Sequence, residues 1–284
     1  MDYQQSPEHA RSPREQMLGL HPELKIFTIA SGKGGVGKSS IAVNLAIALA
    51  QFGIRVLVVD ADFGLANIDV MLGVQTKHNL SHFLRGERRL DEIVQIGYDG
   101  VRFISGGSGS AELLRMDGAQ VDALMHALAH MEMPIDCILC DAGAGITENI
   151  LKMCVASSET IVVTTPEPTS IIDAFALLKN IVRRDEMRPL HVILNKTDSR
   201  REGERVFDGF RDMLQRNLQR EIDCLGFLPN DSEVPKSIKQ QTPVMVNAAE
   251  SRYAREIRAI ARVMLNLPPE QDNPNAIARW FKGK

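Results

Sequence analysis

Cysteine is scarce in this chain of 284 residues. Four thiols, Cys137, Cys140, Cys154 and Cys224, are too few and too scattered for a disulfide framework. Charge of one sign is lacking as well. The 33 Lys and Arg stand against 36 Asp and Glu, a net charge of −3, so no global electrostatic case exists for nucleic-acid binding. No apolar run is long enough to span a bilayer. The first twenty residues are polar and interrupted by proline, without the apolar core of a signal peptide, and a cytosolic protein is the expectation. Internal repeats and low-complexity tracts are absent from the sequence.

What is present is ordinary globular material, 44% apolar and 24% charged, at a length that suits one large domain or two small ones. Apolar strands alternate with amphipathic helices. Strand patterns fall at 25–30, 55–60, 100–105, 136–141, 160–165, 190–195 and 224–228. Helical patterns fall at 39–51, 118–131, 148–156, 170–184, 202–218 and 252–265. This alternation predicts an α/β fold, a mostly parallel sheet with helices on both faces. Ligands on such folds bind at the carboxyl ends of strands. Cys137 and Cys140 form a C-x-x-C inside the strand 136–141. Residues three apart on a strand point to opposite faces, which opposes shared metal ligation.

Gly32-Lys-Gly-Gly-Val-Gly-Lys-Ser39 fits G-x-x-x-x-G-K-[ST] and lies between a predicted strand and a predicted helix, the context that gives the motif meaning. Gly32, Gly34, Gly35 and Gly37, with Val36 among them, let backbone N–H groups close around phosphate oxygens. The helix that begins with Lys38, Ser39 and Ser40 points its positive end at the same anion. Lys38 is expected on the β- and γ-phosphates, and Ser39 on Mg²⁺.

Lys33 adds a second lysine, and K-G-G-x-G-K-[ST] resembles the deviant phosphate loop of the MinD/ParA/nitrogenase-iron-protein class. In that class the lysine crosses a dimer interface to the partner's phosphates, so the resemblance implies an ATP-dependent homodimer, with ATP and Mg²⁺ as cofactors. Asp60-Ala-Asp62-Phe-Gly-Leu-Ala-Asn67-Ile-Asp69 resembles the MinD-type switch. On that match Asp62 positions the attacking water, and Asp60 and Asn67 support the magnesium and phosphate site. Asp141 closes the strand 136–141 at a position like a second-shell magnesium ligand. Asn195 at the end of another strand is the expected adenine contact, because an amide both donates and accepts. Pro229 and Asp231 are expected near the base.

Ala142-Gly143 departs from MinD and is similar to the FlhG branch, also called YlxH or FleN, where D-x-G-A-G is familiar. The glycine-rich segment 105–109, the run 164–179 and Lys239-Gln-Gln-Thr-Pro243 resemble the same branch. The match covers about residues 25–265. It implies an ATPase that limits flagellar number or placement at the membrane, slow without a partner. Glu167 and Asp173 are expected on a dimer or partner face. A MinD proper, which places the division site, is the nearest rival. A ParA-like DNA-partition protein and an iron–sulfur carrier are more distant ones.

Three regions are expected: an extension at 1–23, the ATPase domain at 24–267, and a linker with tail at 268–284. The tail places Ile277, Trp280 and Phe281 at i, i+3 and i+4, with Arg279, Lys282 and Lys284 as cations. This is the pattern of a helix lying in a membrane interface, or of a tail docked on its own domain. Such tails are common in MinD and FlhG proteins, and two of them in an ATP dimer would bind more tightly through effective concentration. Some FlhG proteins engage an FlhF-type GTPase through D-Q-A-x-x-L-R. Here Arg14–Leu20 matches loosely at Glu15-Gln16 and lacks the downstream arginine. Flagellar switch-complex proteins are the other implied partners. The expected location is cytoplasmic, at the inner face of the membrane.

Overall fold

A computed structural model describes residues 24–62, 67–107 and 116–268. The N-terminal extension, with Arg14–Leu20, and the tail bearing Ile277, Trp280 and Phe281 lie outside the described residues. The described strands are β1 (Lys25–Ser31), β2 (Val56–Ala61), β3 (Gln95–Ile96), β4 (Arg102–Ile104), β5 (Cys137–Ala144), β6 (Glu159–Thr164), β7 (Leu190–Thr197) and β8 (Asp223–Pro229). They form one eight-stranded sheet in the order β3-β4-β2-β5-β1-β6-β7-β8. Every pairing is parallel except β3 with β4.

The strands read as unbroken apolar runs because helices cover both faces. On one face lie α1 (Lys38–Gln51) and a late helix, Arg252–Met264. They share a core with Phe27, Ile29, Val58 and Leu139. On the other face lie α4 (Gly118–Ala129), α5 (Glu148–Ala156), α6 (Pro168–Arg184) and α7 (Arg200–Leu218). Small helices α2 (Ile68–Met71) and α3 (Leu80–Leu84) follow β2. After β8 come α8 (Glu233–Lys239) and α9 (Val244–Asn247), and the late helix is α10. The pattern of α1 is apolar nearly all round, as expected of a helix buried on most sides.

The sheet order settles the question of the two cysteines. Cys137 faces the α1 side and Cys140 the α4 side, both fully buried. Burial pushes both thiols up, Cys140 to about 12. The two thiols thus lie on opposite faces of the sheet, and among the described residues no group of three or more His, Cys, Asp and Glu side chains gathers as a metal site would.

Local rules set the helix starts. Thr147, Ser199 and Ser251 cap α5, α7 and α10 by accepting from Ile150, Glu202 and Ala254 N–H groups. Sequence periodicity misses β3, two residues long and antiparallel, and α2, α3, α8 and α9, each of two turns or less. Such short pieces carry too few residues for a period to register.

Candidate functional site

The loop 32–37 joins β1 to α1 at the carboxyl edge of the sheet. Unlike α5, α7 and α10, α1 has no side-chain cap. Its N-cap is Gly37, at φ 97°, a left-handed conformation that glycine adopts without strain. The first N–H groups of α1 are therefore open to an anion. A side chain at 37 would also run into the Asn195 amide, and one at 32 would overlap the Asp173 backbone carbonyl of α6. The loop is clamped between two neighbours and needs glycine at both points.

Gly34 differs from these two. It lies exposed at the tip of the loop with Gly35, and a Cβ there would meet only the Ala144 Cβ, at 3.9 Å, an ordinary contact. Within one chain, then, nothing requires glycine at 34. Glycine is required sterically at Gly32 and Gly37 by neighbouring protein atoms, whereas Gly34 offers its backbone N–H and the open space beside it.

Lys38 is only 7% exposed, and its ammonium has no hydrogen-bond or ion-pair partner among the described residues. Asp141, at the end of β5, is 0% exposed, and neither carboxylate oxygen meets a donor at hydrogen-bond geometry. Burial lifts Asp141 to about 7, while Ser39 and Lys38 beside it pull the value down and Asp62 pushes it up. Lys38 and Asp141 feel each other's charge, but neither is hydrogen-bonded among the described residues, and burying charged groups in that state costs on the order of several kcal/mol. The donor set fits a phosphate group on the lysine side and a hydrated divalent cation on the carboxylate side.

Asp60 stands next to Asp141 in register across β2 and β5. It is buried too, but its oxygens are occupied. Oδ1 accepts from Asp62 N at 3.2 Å, and Oδ2 accepts from Asn67 N at 2.8 Å and Ile68 N at 3.0 Å. Burial first, then the Asp141 charge, raise its pKa against these three donors. Asp60 thus organises the turn that carries Asp62 and Asn67, a duty that residue spacing does not reveal. Asp62 follows β2 directly, and its carboxylate lies beside Gly143 of β5. A Cβ at 143 would touch that carboxylate at 3.5 Å, and a longer side chain would crowd it, which is one physical use for the Ala142-Gly143 pair.

Asn195 and Asp231 also have structural duties. Asn195 Nδ2 donates to Val36 O at 2.7 Å, and its Oδ1 accepts from Lys196 N at 2.9 Å. Lys196 Nζ donates to Gly35 O at 2.8 Å. Together they brace the phosphate loop from β7. Asp231 accepts from Glu233 N and Tyr253 N and ties the loop after Pro229 to α10. Asn44 is a further residue that sequence reasoning missed. It is buried in α1, donates to Ser40 O at 2.7 Å and accepts from Met245 N at 2.9 Å. Its signal is a lone amide in an otherwise apolar helical run.

Lys33 does not project freely. Its Nζ contacts Glu167 Oε2 at 2.7 Å and Thr169 Oγ1 at 3.2 Å, at the start of α6. The Lys33 contact holds Glu167 below the usual carboxylate range. The pair is solvent-exposed, where water screens the attraction and little stability is gained. Lys33 is therefore held in place weakly.

Comparison with known proteins agrees with this geometry. Residues 27–244 match the family described as the CobQ/CobB/MinD/ParA nucleotide binding domain. The antiactivator FleN of Pseudomonas aeruginosa is 33% identical over 267 residues, covering 94% of this chain and 95% of that protein. The flagellum site-determining protein YlxH of Helicobacter pylori is 34% identical over 244 residues, covering 85% and 82%. Among solved structures, the septum site-determining protein MinD of Pyrococcus horikoshii, complexed with Mg-ADP, is 25% identical. It superposes with a TM-score of 0.72 over 84% of this chain and 95% of that one. The chain belongs to the MinD/ParA nucleotide-binding family.

Proposed function

We propose that this chain is an ATPase whose ATP-bound form dimerises, and that the switch regulates flagellar number or placement at the membrane. The observation that carries the reading is a buried lysine and a buried aspartate, Lys38 and Asp141, neither hydrogen-bonded among the described residues, beside an uncapped helix start. Likeness to FleN and YlxH over most of the chain supports the flagellar assignment.

The roles follow from the placements. Lys38 and the backbone N–H groups of 34–40 hold the phosphates. Ser39, Asp141 and Asp60 form the magnesium side, Asp60 through the turn it braces. Mg²⁺, when bound, neutralises charge on the phosphate oxygens. Asp62 orients the attacking water. Asn195 and Lys196 hold the loop closed, and the remaining Asn195 N–H faces the base together with the Pro229 and Asp231 segment. Lys33 leaves Glu167 for the phosphates of a second copy, a change that an exposed pair permits at little cost. The open tip at Gly34 leaves room for that copy to approach. Hydrolysis is slow without a partner, with Asp62 directing the water.

The test is solution mass by light scattering on the Asp62→Ala protein, with ADP and with ATP. A monomer in ADP and a dimer in ATP is the expected result, and Lys33→Ala should abolish the dimer while keeping ATP binding. A mass that ignores the nucleotide would overturn the switch and leave a nucleotide-binding domain alone.

A further inference from the structure

A cavity of about 160 Å³ opens beside the carboxyl ends of β7 and β8. Thr197, Phe227 and Pro229 form its floor, and Arg200, Arg252, Arg255 and Glu256 its walls. Three guanidinium groups therefore meet one carboxylate around a small space. Glu256 has a partner of its own. Arg200 shares one edge with Glu204, Nε to Oε1 at 3.1 Å. Arg252 and Arg255 are exposed, and neither has a hydrogen-bond or ion-pair partner among the described residues.

The cations also stand where a helix does not favour them. Arg200 is the first residue of α7, and Arg252 and Arg255 lie in the first turn of α10. The helix dipole opposes positive charge at that end. Two helix starts and three arginines thus converge on one cavity with too little negative charge to balance them.

We propose that this cavity binds a terminal phosphate group, either of a soluble phosphomonoester or of a phosphatidic-acid headgroup. A carboxylate offers two oxygens and one charge, enough for one arginine fork. A phosphomonoester offers three oxygens and nearly two charges, which matches several forks at once. The volume admits a phosphate group and excludes a whole nucleotide, whose pockets run to several hundred Å³, about 300 or more. Phosphodiesters, with one charge and two free oxygens, fit it poorly. No residue of the phosphate loop lines the site, although its floor shares Pro229 with the segment assigned to the base above.

The experiment uses the full-length Lys38→Ala chain without magnesium, so that the phosphate loop does not compete. Calorimetric titration with pyrophosphate should show one site. Arg252→Ala with Arg255→Ala should weaken it tenfold or more, and Arg252→Lys with Arg255→Lys should fall between. Absent binding, or equal affinity after both alanine substitutions, would overturn the proposal. Should the alanine-substituted chain fold poorly, the chain with its arginines intact gives the answer by modification with phenylglyoxal. Pyrophosphate must slow the reaction at Arg252 and Arg255, and unchanged rates overturn the site. Flotation with phosphatidic-acid vesicles then separates the sources. Arg252- and Arg255-dependent flotation assigns the headgroup, and its absence beside pyrophosphate binding assigns the soluble ester.

Discussion

The two ends of the same sheet treat charge in opposite ways. At the amino ends of the strands the buried charges are matched. Asp136, 2% exposed, accepts from Arg55 N, Nε and Nη2, at 2.9, 2.9 and 2.5 Å. Glu159 joins β1, β6 and β7 by accepting from Lys25 at 2.7 Å and bonding His191 at 2.9 Å. Arg188 donates to the carbonyls of Ser157 and Val155, and Thr28 and Ser157 share a hydroxyl contact. At the carboxyl ends Lys38 and Asp141 are buried and not hydrogen-bonded among the described residues. The residue types are alike, and Asp136 is nearly as buried as Asp141, while Arg55, Lys25 and Glu159 reach solvent in part. The difference is that the carboxylates at one end are hydrogen-bonded by the protein itself, whereas Asp141 at the other is not.

Mutations should separate the ends. The largest effect is expected from Lys38→Ala, which removes the buried cation. Nucleotide affinity should drop about a hundredfold, as for loss of charged hydrogen bonds, with the melting temperature unchanged or higher. Fluorescent-nucleotide titration beside a melt reads both, and a stable protein with normal affinity would contradict the comparison. Asp136→Ala should do the reverse, costing about 2 kcal/mol of stability, since its arginine partner is partly solvated, with nucleotide affinity intact. Urea denaturation measures the cost.

The pH dependence sharpens the same contrast. Burial pushes Glu159 up, but bonds from His191 and Lys25 outweigh it and hold the group at about 2. Its folded value lies below its ordinary 4.5. Its contribution is therefore complete above pH 4.5 and is lost as pH falls toward 2, at most about 3 kcal/mol before screening. The difference in urea midpoint between the native chain and Glu159→Gln should shrink over that window. A difference constant with pH would rule the carboxylate out as its source. The smallest effect is Asp141→Asn. Removing a buried carboxylate without a hydrogen bond should stabilise the free chain by about 1 kcal/mol, or roughly 2–4 °C, while weakening magnesium-dependent nucleotide binding. Scanning calorimetry with and without Mg²⁺ would show the two changes in opposite directions.

The two ends also differ in how much the sequence reveals. Long apolar runs ending in aspartate identify β2 and β5 and place Asp60 and Asp141 at the carboxyl edge, because strand period and burial are local properties. The glycine spacing around Lys38 is equally local, although it does not tell the clamped Gly32 and Gly37 from the open Gly34. What is not local stays hidden. Lys33 and Glu167 are 134 residues apart, and nothing near either predicts the pairing. Asn195 reads as a base contact and is also a brace on Val36, 159 residues earlier. Asp136 reads as the start of a strand, and only the sheet order shows that Arg55 completes it. The short β3 escapes for a different reason. It is an edge strand of two residues whose pairing comes from the turn at Tyr98–Gly100.

The order of the strands has a consequence for synthesis. β1 is the first of the described strands to leave the ribosome and lies near the middle of the finished sheet. Its neighbours are β5 and β6, where Lys25 meets Cys137 and Phe27 meets Glu159. At roughly 5–20 residues per second, β1 waits on the order of ten seconds for its first partner. Throughout that time Phe27 and Ile29 are exposed beside the uncovered α1. A chain of this topology folds late and through distant contacts, and its most aggregation-prone moment precedes the translation of its second half.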